Sequence, residues 1–110
     1  MRFRLAHAVS TGLCRRGILI CSTGIGMSIV ANRFTGVRAS LCTSVHMGHM
    51  TRAHNDSNIL CLGGKITDRD MAFDIVEEWL KTQFEGGRHS ISLDYLDSLD
   101  EIPSESQRNA

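Results

Sequence analysis

The segment Cys21-Ser-Thr-Gly-Ile-Gly-Met-Ser28 concentrates residue types that can do chemistry. An apolar run, Gly17-Ile-Leu-Ile-Cys21, leads into it, and a stretch with helical spacing follows. Glycines let a backbone approach a ligand closely, and the start of a helix offers unpaired N–H groups to an anion. A thiol at that place feels the helix dipole, which favours the thiolate. Cys21 is therefore a candidate base or nucleophile beside a candidate oxyanion hole. Three chemistries compete for it. A dinucleotide fingerprint needs G-x-G-x-x-G, and only Gly24-x-Gly26 is present, with Ile29 where the third glycine would stand. A cysteine phosphatase needs an arginine a few residues on, and the next one is Arg33. Proton transfer needs only a base and oxyanion donors, which the segment offers. The same letters also describe a buried strand-end thiol beside a turn.

Cys42, His46 and His49 are the other grouping with ligand spacing. They share a helix face only if the helix runs back to Cys42, and no fourth ligand is evident for a structural zinc. The reading is no metal and no cofactor. His7 reads as a solvated surface residue, His89 as surface or site, and Trp79 as core.

The elements that must position these groups follow from hydrophobic pattern. Gly17-Ile-Leu-Ile-Cys21, Val37-Arg-Ala-Ser-Leu-Cys42 and Asn58-Ile-Leu-Cys-Leu62 are continuous apolar runs, as in a parallel sheet covered on both faces. Helical spacing predicts helices over residues 25–33, 45–54, 68–84 and 91–99. In the third, Met71, Ala72, Ile75, Val76, Trp79 and Leu80 share a face. Thr67 with Asp70 resembles a capping box, and Gly86-Gly87 reads as the stop. Leu93, Leu96 and Leu99 predict a short docking helix. The order is a helix, three strand–helix units and a last helix, hence α/β with a parallel sheet whose ligands bind at the carboxyl ends of the strands.

A chain of 110 residues is enough for one domain, read here as residues 1–102 with a disordered tail at 103–110. Zero formal net charge argues against a nucleic-acid or membrane-surface partner. There is no apolar run of membrane-spanning length and no secretory pattern, and the cysteines look like buried or reactive thiols. Together these predict a reducing, cytoplasmic setting.

Longer blocks carry a resemblance. Gly17-Ile-Leu-Ile-Cys-Ser-Thr-Gly-Ile-Gly-Met-Ser-Ile-Val-Ala-Asn32, Gly36-Val-Arg-Ala-Ser-Leu-Cys42, Met50-Thr-Arg-Ala-His-Asn-Asp56, Asn58-Ile-Leu-Cys-Leu-Gly63 and Phe84-Glu-Gly-Gly-Arg-His89 resemble the type B ribose-5-phosphate isomerases in order and spacing, over residues 6–89. The resemblance implies a Rossmann-like three-layer sandwich. It implies an aldose–ketose isomerase that interconverts ribose 5-phosphate and ribulose 5-phosphate through an enediolate, in the non-oxidative pentose phosphate pathway. It implies catalytic roles for Cys21 as base, His54 as ring opener and Thr23 within the enediolate loop. Substrate contacts fall on Ser22, Thr23, Gly24, Ile25, Gly26, Asn55, Lys65 and Arg88, and the expected partner is a second copy in a homodimer with shared active sites. The C-terminal helix is expected to reach that copy.

Three departures stand out. Ser22 replaces the family's usual Gly, Lys65 stands at an arginine position and keeps charge without the bidentate fork, and Ser92 replaces a further phosphate arginine. The family also opens with a strand–helix–strand unit carrying an Asp-His pair, with no counterpart here. Its absence predicts that Gly17–Cys21 becomes an exposed edge. Two alternatives follow: an isomerase of another sugar phosphate, of six or four carbons, and an inactive remnant that folds only beside a full-length partner.

Overall fold

Parallel pairing of the three apolar runs builds the sheet. In the computed structural model, which describes residues 3–100, β1 is Gly17–Cys21, β2 is Ala39–Leu41 and β3 is Ile59–Gly63. The helices are α1 (Arg4–Ser10), α2 (Ile25–Ala31), α3 (Val45–Asn55), α4 (Arg69–Lys81) and α5 (His89–Leu99). Both strand pairings are parallel, in the order β1-β3-β2, with Gly17 opposite Ile59 and Cys21 opposite Gly63. The chain is α/β, with the element order that the sequence predicts.

Strand alternation sorts the core into two halves. Ile59 and Cys61 pack with Ala6, Val9, Ala31 and Val37, under α1 and α2. Leu60 and Leu62 pack with Cys42, Ile75 and Trp79, under α3 and α4. Gly48 lets α3 approach α4 closely, since a Cβ there would lie 3.3 Å from Ile75. Trp79 is fully buried and its indole N–H donates to Ser57 Oγ at 2.8 Å, so truncation to Ala costs about 3–5 kcal/mol.

Only β3 meets the expectation of a strand covered on both faces; all five of its residues are buried. β1 is an edge, and its Ile18 and Ile20 are 36% and 63% exposed. They line an apolar groove of about 370 Å³ with Leu62, Ala72, Phe73 and Val76. The outer edge of β2 is partly closed, because the Asn32 side chain exchanges two hydrogen bonds with the backbone of Ala39, at 2.9 and 2.7 Å.

Four local expectations are corrected. The N-cap of α4 is Asp68, whose carboxylate accepts from the Met71 N–H at 2.8 Å, rather than Thr67. The helix ends at Lys81 because Thr82 turns to extended geometry, and Gly86 and Gly87 belong to a later turn with φ of 71° and 61°. Met71 and Leu80 flank the buried stripe of α4 and stay exposed. Of the three leucines on α5 only Leu93 is buried; the helix is also held by Asp97, which pairs with Arg38 at 3.0 and 3.1 Å. The tail at 103–110 lies outside the described residues. No helix among the described residues is long and apolar enough to cross a membrane.

Candidate active site

At the carboxyl end of the sheet, β1 delivers Cys21 and the chain turns at once. Gly24 takes φ 82° and caps α2. A Cβ on it would lie 2.5 Å from Leu41 and 3.1 Å from the Leu62 backbone, so both its conformation and its packing require glycine. The turn aims the Gly24 N–H at the Cys21 sulfur, 3.1 Å away, and the Thr23 hydroxyl accepts from the Ile25 N–H at 3.2 Å. Two amides of the predicted oxyanion loop thus already have internal partners. Ser22, Thr23, Ile25 and Gly26 are exposed, and a Cβ on Gly26 would meet nothing within 4 Å.

The loop after β3 is laced to this turn. Gly64 N–H donates to Cys21 O at 2.7 Å and Lys65 N–H to Ser22 O at 2.9 Å, which brings Lys65 to the same end. Gly63 permits the contact, since a Cβ there would lie 2.5 Å from Thr23 O. Half-buried Cys21 lines a cleft of about 270 Å³ with Phe3, Gly26, Met27 and Val30. Cys21 therefore borders open space. Burial instead claims Cys42 and Cys61: it pushes both thiols up, Cys61 to about 11 with the neighbouring Cys21 and Cys42 adding to the effect.

His54, Asn55 and Arg88 gather at the other end. α3 follows β2 and returns antiparallel to the strands, so its last residues lie at the amino end of β3. Four strand steps separate Ile59 from Gly63, which puts the two ends of β3 roughly 13 Å apart. Buried Arg52 anchors this corner, donating to Asp56 at 2.9 Å, to Ser57 O at 2.5 Å and to Thr82 O at 3.3 Å. Asp56 closes α3 in the left-handed region, with φ 48°. Glu85 N–H donates to Ala53 O at 2.9 Å, which lays the segment before α5 beside His54. The His54 and His89 rings stack, 4.0 Å apart and 11° from parallel. Arg88 caps α5 and is exposed. Asn55 and Ser92 line a cleft of about 430 Å³ with Arg38, Thr51 and Tyr95.

Within one chain, then, the predicted residues form two sets at opposite ends of the sheet: Cys21, Ser22, Thr23, Gly24, Ile25, Gly26 and Lys65, and His54, Asn55 and Arg88. The spacing group of Cys42, His46 and His49 disperses. Cys42 is buried near Ser40, His46 is exposed, and His49 meets Glu78 at 2.9 Å, a contact that holds the Glu78 carboxyl below its usual range. Among the described residues, the donor atoms that do converge are those of His54, Glu85 and His89, all within 4.8 Å of one another. Near-parallel rings send their nitrogen lone pairs side by side rather than to one point, so this cluster does not present two imidazoles to one ion as it stands. Glu85 and Arg52 carried no assigned role in the sequence, although both lie inside the motif blocks that carry the resemblance.

The fold and these two clusters define a parallel α/β protein with a thiol at a strand tip and an imidazole pair at the opposite end. The family model for Ribose/Galactose Isomerase matches residues 1–96, and the chain belongs to that family. A Rickettsia bellii protein is 56% identical over 90 residues, 82% of this chain and 62% of its own length. Ribose-5-phosphate isomerase B of Escherichia coli is 40% identical over 98 residues, 89% of this chain and 66% of its own. The solved structure of Mycoplasma genitalium ribose-5-phosphate isomerase B with bound ribulose-5-phosphate superposes with a TM-score of 0.88 at 34% identity, covering 93% of this chain and 68% of that one. The chain thus spans less than two thirds of the length of these curated relatives.

Proposed function

We propose that this chain forms an aldose–ketose isomerase site for ribose 5-phosphate and ribulose 5-phosphate, completed between two copies of the chain. The observation that carries the reading is Cys21, half-buried at a strand tip, bordering a cleft and with an amide aimed at its sulfur. The likeness to ribose-5-phosphate isomerase B of known structure supports the pentose phosphate as substrate.

The thiolate of Cys21 removes a proton from the carbon beside the carbonyl, and the enediolate oxygen takes N–H groups of the loop over residues 22–26. For Ile25 this means replacing the Thr23 hydroxyl, which gives Thr23 a place in the step. His54 moves the proton that opens the furanose, Asn55 holds the sugar, and Arg88 and Lys65 bind the phosphate. Because His54 and Cys21 lie at opposite ends of one sheet, the His54 that serves a given Cys21 belongs to the second copy. Exposed Ile91, Tyr95, Leu96 and Leu99 give α5 an apolar surface for that contact. This assembly acts in the non-oxidative pentose phosphate pathway, in the cytoplasm.

A coupled assay for ribulose 5-phosphate formation tests the proposal. Turnover in the purified chain that disappears in Cys21→Ala is the expected result. Equal turnover in both proteins removes the thiol from the mechanism, and no turnover in the parent chain favours the remnant reading.

A further inference from the structure

Glu85 and His89 surround the imidazole on which the proposed ring opening depends. One oxygen of the Glu85 carboxylate lies 3.5 Å from His54 Nε2 and 3.6 Å from His89 Nε2. His89 covers the face of the His54 ring, with centroids 4.0 Å apart. We propose that Glu85 and His89 are positioning residues for His54, which hold its ring plane and face its Nε2 with a carboxylate.

The chain builds this arrangement through backbone geometry. The Glu85 N–H on Ala53 O fixes where the carboxylate starts. Gly86 and Gly87, both at positive φ, then fold the chain back, and His89 N–H closes the turn on Gly86 O at 3.2 Å. The two ends of Glu-Gly-Gly-Arg-His thereby converge on one imidazole. The other charged groups of this corner are differently engaged: Arg52 of α3 pairs with Asp56, Arg38 reaches Asp56 and Asp97, and Arg88 is exposed at the N-cap of α5. The Glu85 carboxylate is thus left to the two imidazoles, as the partner that orients a working histidine usually is.

The inference rests on the isomerase reading for its kinetic arm, and the chemistry of the substrates separates positioning from general damage. Ribose 5-phosphate closes a furanose ring that must be opened. Ribulose 5-phosphate has its C5 oxygen esterified and stays acyclic, so exchange of its C1 proton with deuterated water reports the Cys21 step without ring chemistry. Glu85→Gln and His89→Phe, the latter keeping an aromatic stack, are expected to lower kcat on ribose 5-phosphate about tenfold, with KM and the C1 exchange rate within about twofold of the parent. Equal loss in both reactions, or in neither, overturns the proposal. A second arm reads the full chain by NMR, independent of activity. The His54 ring resonances should move in Glu85→Gln and His89→Phe while those of exposed His7 and His46 stay; an unmoved His54 overturns the positioning unit. If the parent chain supports neither reaction but His54 responds, the isomerase reading fails and the unit stands.

Discussion

The two ends of the sheet are built by different means. At the carboxyl end, Cys21, its facing amide and the turn that presents them lie within residues 21–26, and backbone groups do most of the work. At the amino end, side chains converge from three places: His54 from α3, Glu85 from the connecting segment and His89 from α5. The first is a local turn that a short stretch of sequence nearly specifies. The second exists only once α3, α4 and α5 have docked. The proposed reaction draws on both ends, and that is why the proposal calls for a second copy.

The largest expected effect breaks or secures that argument. Cys21→Ala and His54→Ala should each reduce turnover by about 10²–10⁴-fold. Co-expressed in equal amounts, they should recover up to about a quarter of parental activity, since half of randomly paired dimers carry one intact site of two. No recovery on mixing would mean that the ends do not cooperate across copies.

Intermediate effects separate the ends. Gly24→Ala forces a side chain into φ 82° against Leu41, and should cost about 1–3 kcal/mol and abolish turnover while His54 resonances stay in place. Arg52→Met leaves the carbonyls of Ser57 and Thr82 without their donor and should cost about 1–3 kcal/mol in urea unfolding. It should disturb His54 but not the alkylation rate of Cys21.

The smallest effect concerns the strand between the ends. Burial pushes the Cys61 thiol from its ordinary 9.0 up to about 11, so the folded state holds this proton more tightly than the unfolded chain does. Its contribution to stability is present in full below about pH 9 and is lost as pH rises through about 11. Urea midpoints should fall over that window in the parent and fall less in Cys61→Val. Equal slopes would show that Cys61 takes no part.

Much of the fold was legible because apolar runs and helical spacing are local signals. The strand at 17–21 and helices starting at residues 25 and 45 stand where the pattern predicts them. The end of α4 was not, since Gly86-Gly87 looks like a helix stop but makes the later turn that carries His89 over His54. Exposure of Ile18 and Ile20 follows from the edge position of β1, which the apolar run does not encode but the resemblance predicted. Of the candidate site, the roles proposed for the Cys21 loop and for His54 follow from resemblance, while Glu85 carries no sequence signal because the two imidazoles it faces are separated by β3 and α4.

By itself the sequence determined which groups are available: a thiol, a glycine turn, two imidazoles and the elements that hold them. Tertiary structure alone decided which of them meet. In a parallel sheet every helix returns against the strands, so the end of α3 must lie opposite the tip of β1, and residues that read as one motif set are placed at two ends of the molecule.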